Sequence, residues 1–202
     1  LKQLQMMSDP AANLALARQI VLGKLHNQLA VLQIANAPDA PKWLPEGNKA
    51  IQGINDMAHH AAHCDNAESL RGYEGKAATY YWQAFRRLLR HDMGFTGRQY
   101  RPAPDPVNAL LSFGYALLQK DVTAAIQMVG LDAHIGFFHT VQYGRPSLAL
   151  DLMETFRPWV VDLMVLDLLH TPNPPIASTA LIQARDFTHE ASPERPLVLK
   201  ED

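Results

Sequence analysis

The sequence predicts an all-α fold, a multi-helix domain closed by an irregular, proline-rich C-terminal segment. Three observations carry this. Apolar residues recur at helical spacing through most of the chain. The pair Asp-Pro stands at positions 9–10 and 105–106, each time an N-cap followed by the proline that a first helical turn accepts. Prolines at positions 172, 174, 175, 193 and 196 interrupt the tail, where one short helix near 178–185 is the exception.

The chain begins inside or just before a helix. After Asp9-Pro10, the residues Leu14, Ala17, Val21, Leu25 and Gln28 carry one that ends near Asn36, before the loop Pro38 to Pro45. Ile51, Ile54, Ala58 and Ala61 place a second over 48–64, and a third runs from about Glu68 to Asp92. The Gly-, Pro- and Arg-rich stretch 93–104 is a loop. Val107, Leu110, Phe113, Gly114 and Leu117 then carry a fourth helix, and Asp121 caps a short fifth that ends at Gly130. The connection 131–146 contains His139. Ser147 caps a last long helix toward Leu169, kinked or split at Pro158.

With 202 residues and 48% hydrophobic content, the chain can bury a substantial core and is not a disordered tail. A net charge of −2 gives no global sign of nucleic-acid binding, although a local basic surface would suffice for phosphate contacts. The lone Cys64 rules out an internal disulfide framework and fits a reducing compartment, hence a cytoplasmic expectation. The most apolar stretch, Val160 to Leu169, is too short to span a bilayer and is broken by Asp162 and Asp167.

Two acids carry the chemistry. Glu74 shares a helix face with Ala78, Tyr81, Phe85 and Leu88, and Gly72 and Gly75 beside it would let another backbone approach closely. Glu154 shares a face with Leu150, Val161, Val165 and Leu168, with Asp151 one turn before it. The bland alternatives are a frayed, solvated first turn for Glu74 and simple helix-dipole compensation for the other two. Inward-facing carboxylates without a cation cost several kcal/mol each. His139, following Phe137-Phe138, is on its own more often a satisfied core residue. Together, carboxylates and imidazole make a mixed oxygen and nitrogen site that suits Mn²⁺ and tolerates Mg²⁺.

Other clusters weigh less. His59, His60, His63 and Cys64 share a helix, but no second ligand pair accompanies them and the glutamate of a zinc-protease helix is missing. Arg86, Arg87, Arg90, Arg98 and Arg101 read as a solvated face. Arg145 and Arg157 bracket the acids and suit backbone phosphates.

Glu-Gly-Lys-Ala-Ala at 74–78, Asn-Ala-Leu-Leu-Ser-Phe-Gly-Tyr at 108–115, Gly-Phe-Phe-His at 136–139 and Arg-Pro-Ser-Leu-Ala-Leu-Asp-Leu-Met-Glu at 145–154, continued by Phe156-Arg157-Pro158, give the chain a family likeness. It resembles the CRISPR-associated spacer-acquisition integrases, with the four motifs in their order and at similar separations. The resemblance implies a helical catalytic domain, residues 1–202, in which Glu74, His139 and Glu154 bind Mg²⁺ or Mn²⁺. Asp151 would be an adjacent catalytic acid, and Arg145 and Arg157 would line the DNA path. It further implies attack of a DNA 3′-hydroxyl on a backbone phosphate, a double-stranded DNA substrate, a homodimer of the full-length protein and a small ferredoxin-like partner dimer. By the same likeness these residues would be a piece of a longer polypeptide, without the family's small N-terminal β domain. Two other classes stay open on the residues alone: a helical interaction module with hydrogen-bonded polar residues, and a metal hydrolase of small phosphorylated substrates.

Overall fold

The computed structural model describes residues 2–35, 47–89, 93–99 and 102–170, and two short strands beyond them. The helices are α1 Lys2–Ser8, α2 Pro10–Ala35, α3 Gly47–His63, α4 Ala67–Leu88, α5 Pro106–Met128, α6 Ser147–Arg157 and α7 Leu163–His170. A π-helical turn, Pro158–Asp162, joins the last two. The strands β1 Phe187–Thr188 and β2 Val198–Leu199 pair antiparallel, Phe187 opposite Leu199. The helix expected near 178–185 lies outside the described residues, as do Arg90 and Arg101. None of the described helices is long and apolar enough to cross a membrane.

The fold is built around α2, which packs against α3, α4, α6 and the π-turn. Its residues Val21, Leu25 and Leu32 are buried with Ile54 of α3, with Leu70, Tyr81, Phe85 and Leu88 of α4, and with Leu111 of α5. Asp9 starts α2 as expected, its Oδ1 accepting the amides of Ala11 and Ala12 at 2.9 and 3.3 Å. Asp105 does the same for α5, accepting Asn108 N at 2.8 Å.

Three local expectations are corrected, and the break expected at Pro158 is found. Helix α5 runs without a break from Pro106 to Met128, so Asp121 caps nothing. No glycine or proline stands between Tyr115 and Val129 to interrupt the apolar pattern, and the helix continues until Gly130, at φ +75°, turns the chain away. Ser147 is not a cap but the first residue of α6; Pro146 precedes the helix without a side-chain cap, and Ser147 Oγ donates to the Thr140 carbonyl at 3.0 Å. A methyl group on Gly72 or Gly75 would meet nothing within 4 Å. The close approaches fall instead at Gly114, where a Cβ would lie 2.6 Å from Val161, and at Gly136. The Pro158 kink is the π-turn, which missing and shifted backbone hydrogen bonds around a proline allow.

Candidate active site

Glu74 and Glu154 reach the same point from different helices. Helix α4 is anchored by Asn66, whose side chain accepts Ser69 N at 2.8 Å, so Glu74 sits two turns into a formed helix and not in a frayed end. Its Oε1 lies 2.5 Å from Lys24 Nζ. Glu154, on the buried face of α6, presents Oε2 to the same ammonium at 2.6 Å. Lys24 therefore bridges the two carboxylates from α2. It lies on the inward stripe of that helix, three residues after Val21 and four before Gln28, a position that sequence reading passed over.

The second oxygen of Glu154 completes its surroundings. Oε1 accepts Arg157 Nη1 at 2.6 Å and lies 4.0 Å from His139 Nε2. Burial alone would raise the Glu154 carboxyl, but Lys24 and Arg157 outweigh it and hold the group below the ordinary carboxylate range. Lys24 mirrors this: burial lowers its ammonium, and the pull of Glu154 and Glu74 takes it above the usual lysine value. Although close to Lys24, Glu154 Oε2 has no well-directed hydrogen bond.

Asp151 serves the site at one remove. Fully buried, it accepts the backbone amides of Phe137 and Phe138 on Oδ2 at 2.6 and 3.1 Å. Its Oδ1 takes the His139 amide at 2.8 Å and the ring Nδ1 at 2.7 Å. A carboxylate offers no proton, so Nδ1 is the nitrogen that carries the hydrogen here, which leaves Nε2, on the Glu154 side, as the one able to offer a lone pair when the ring is neutral. Asp151 and Glu154 thus point to different partners and do not confront one another. The loop can lie this close because residue 136 is glycine: a Cβ there would be 2.7 Å from Ser147 Cβ and 2.8 Å from Asp151 Oδ2. Arg71 Nη2 donates to the Phe138 carbonyl at 3.5 Å, and Gln3 Nε2 to the carbonyls of Asp132 and Ile135 at 2.8 and 2.9 Å, tying the first half of the loop to helices α4 and α1.

A cavity of about 580 Å³ opens beside this cluster, lined by Lys24 and His139 and by three arginines, Arg98, Arg145 and Arg157. Arg145 Nη2 donates to the carbonyl and hydroxyl oxygens of Thr140. Arg157 and Arg98 cover the Tyr115 ring, 5.0 and 5.2 Å from its centroid. Tyr115 in turn donates to Asp162 Oδ1 at 2.5 Å, and Tyr81 to Oδ2 at 2.9 Å. Arg98 was expected on a solvated face. It is brought to the cavity by Phe95, buried against Phe85 at 5.7 Å, and by Asn108, whose Oδ1 accepts Arg98 Nη1 at 2.9 Å and whose amide donates to Gly97 O at 2.9 Å.

The chain's profile match settles its kinship: the family described as CRISPR associated protein Cas1 covers residues 1–196. The chain belongs to the Cas1 family. It is 41% identical over 162 residues to a CRISPR-associated endonuclease Cas1 of Thermus thermophilus, covering 80% of this chain and 46% of that protein. It is likewise 41% identical over 176 residues to a CRISPR-associated exonuclease Cas4/endonuclease Cas1 fusion of Geobacter sulfurreducens, 81% of this chain and 30% of the fusion. The chain thus spans at most about half the length of these relatives. Among solved structures, a casposase bound to integration product superposes with a TM-score of 0.81 at 30% identity, over 98% of this chain and 54% of that one. A partial Cas6-RT-Cas1–Cas2 complex gives a TM-score of 0.83 at 28% identity, over 98% of this chain and 56% of that one.

The chemistry of these donors suits a divalent ion. Two carboxylates and an imidazole lone pair converge, one buried carboxylate oxygen lacks a directed partner, and a cation already lies between the acids. The space between the two acids is filled by the Lys24 ammonium, and among the described residues no three His, Cys, Asp or Glu side chains stand at coordinating distance together. The His59, His60 and His63 rings form no such group either; Nδ1 of His60 and of His63 faces the carbonyl one turn earlier on the same helix.

Proposed function

We propose that this chain is the catalytic part of a metal-dependent DNA integrase and endonuclease. It would insert short foreign DNA segments into a CRISPR repeat array, in the service of antiviral immunity. The observation that carries the reading is that Glu74 and Glu154 meet at Lys24, with His139 4.0 Å from Glu154, while Lys24 and His139 line a cavity with three arginines.

Glu74, Glu154 and His139 Nε2 would hold Mg²⁺ or Mn²⁺. Such an ion, when bound, supplies polarisation of a phosphate and activation of a hydroxyl. The protein's own groups do the rest. Arg145, Arg157 and Arg98 bind non-bridging phosphate oxygens and fix the strand in the cavity. Asp151 keeps His139 in the tautomer that leaves Nε2 free. The reaction is a transesterification, in which a DNA 3′-oxygen forms a bond to phosphorus as the bond to the leaving 3′-oxygen of the target strand breaks. With water in place of the hydroxyl, the same site cuts DNA.

The proposed substrates are a double-stranded fragment and a repeat-containing duplex. The proposed assembly is a homodimer of the full-length protein joined to a small ferredoxin-like partner dimer, in line with the Cas1–Cas2 complex among the structures it resembles. Strand transfer from a labelled duplex into a repeat-containing plasmid, by the full-length protein with its partner and Mn²⁺, tests the reading. Joined product from the native protein and none from His139→Ala or Glu154→Ala supports it; joining by those variants overturns it. Binding that weakens steeply with salt separates DNA from a small phosphorylated substrate.

A further inference from the structure

The cation between the two glutamates belongs to the protein itself. Lys24 Nζ is within 2.6 Å of both carboxylates, and its side chain is only 13% exposed. A divalent ion bonded to the same oxygens at about 2.1 Å leaves no room for an ammonium there, and the two positive charges repel.

We propose that Lys24 is a tethered counter-ion that keeps the glutamate pair neutralised and closed until a divalent ion displaces it, whereupon its ammonium turns into the arginine-lined cavity. The proposal rests on Glu74, His139 and Glu154 being the metal ligands. Three features beyond the two contacts support it. Lysine's flexible four-carbon stem can swing without moving α2, which a short or planar cation could not do as readily. Lys24 already lines the cavity, so its stem borders the space that the displaced ammonium would enter. Gln28, one turn along the same face and lining the same cavity, is buried with an Oε1 that no donor satisfies, an acceptor ready for the displaced ammonium.

The exchange has a functional consequence. Displacement adds a fourth positive group to the cavity, so metal entry strengthens the hold on a DNA phosphate. By linkage, a phosphate in the cavity favours metal entry. Metal and DNA then load together, and the protein without DNA keeps its acids occupied by a harmless cation.

The test is Mn²⁺ binding to the full-length protein, read from the electron paramagnetic resonance of free Mn²⁺, for the native chain, Lys24→Met, Glu154→Gln and the double variant. Lys24→Met removes the competing charge and keeps the length of the stem. It should bind Mn²⁺ at least about tenfold more tightly than the native chain, while its metal-free form melts at a lower temperature. Equal or weaker Mn²⁺ binding by Lys24→Met, with Glu154→Gln still abolishing binding, overturns the proposal and leaves the metal site standing. Mn²⁺ binding indifferent to Glu154→Gln in both backgrounds, or absent throughout, overturns the metal assignment and the proposal with it. A second readout needs no variant: acetylation of Lys24 in the native protein, followed by mass spectrometry, should rise severalfold on adding Mn²⁺ while Lys76 and Lys120 are unchanged. Unchanged labelling of Lys24 with Mn²⁺ bound also overturns it.

Discussion

Asp151 Oδ1 receives both the backbone amide and the ring Nδ1 of His139, at 2.8 and 2.7 Å, so one buried carboxylate fixes the position and the tautomer of the imidazole. Asp151 does not itself line the cavity, so removing its carboxylate should act through His139. Asp151→Asn is expected to lower strand transfer by about 10- to 100-fold, as losses behind a metal-bound histidine commonly do. A rate assay paired with a melting curve checks this: the rate should fall further than the loss of stability explains.

Gly136 tests the closeness of loop and helix. A methyl group there meets Ser147 Cβ at 2.7 Å and the Ser147 backbone carbon at 2.8 Å, neither of which can give way without moving α6. Gly136→Ala should destabilise the protein by about 1–3 kcal/mol, read from urea unfolding. Gly72→Ala, in open space on α4, should instead leave stability equal or slightly improved.

Asp162 makes a prediction about pH. Burial raises its carboxyl from 3.8 to about 6, against the lowering effect of the hydrogen bonds from Tyr115 and Tyr81. Between those values the folded state keeps a proton that the unfolded chain has released, so stability from this group falls as pH rises through the window and is flat above it. The loss is at most about 3 kcal/mol. Unfolding free energies of native protein and Asp162→Asn should therefore diverge between about pH 4 and pH 6, the variant lacking the decline.

Arg98 should behave as a phosphate contact. Arg98→Ala is expected to weaken DNA binding across all sequences and to reduce the slope of log affinity against log salt by about one. Asn108→Ala, which frees the loop that carries Arg98, should give part of the same change and also lower the melting temperature. Fluorescence anisotropy over a salt series measures both.

Much of this was legible in the sequence, and the rest fails for identifiable reasons. Glu74 and Glu154 announce themselves because an acid on an apolar helix stripe is costly unless something pairs with it. His139 on its own reads as a core residue, and only the resemblance carried by Gly136-Phe137-Phe138-His139 sets it beside the acids. Lys24 stands on an equally apolar stripe and carries the same signal with opposite sign, yet a lysine's long stem usually reaches water and hides the anomaly. Arg98 could not be read from its neighbours, because its place depends on Phe95 packing against α4 and on Asn108 folding back from α5. Asp121 misled as a helix start, since an N-cap residue in mid-helix simply points outward when the apolar pattern continues past it.

In the proposed site Glu74, Glu154 and His139 hold one divalent cation between them. Diffraction from crystals soaked in Mn²⁺, with data at the manganese absorption edge, tests it most directly. One anomalous peak is expected about 2.1–2.3 Å from a carboxylate oxygen of each glutamate and from His139 Nε2, with Lys24 moved aside. A peak bound elsewhere, with Lys24 still bridging the two acids, would contradict it.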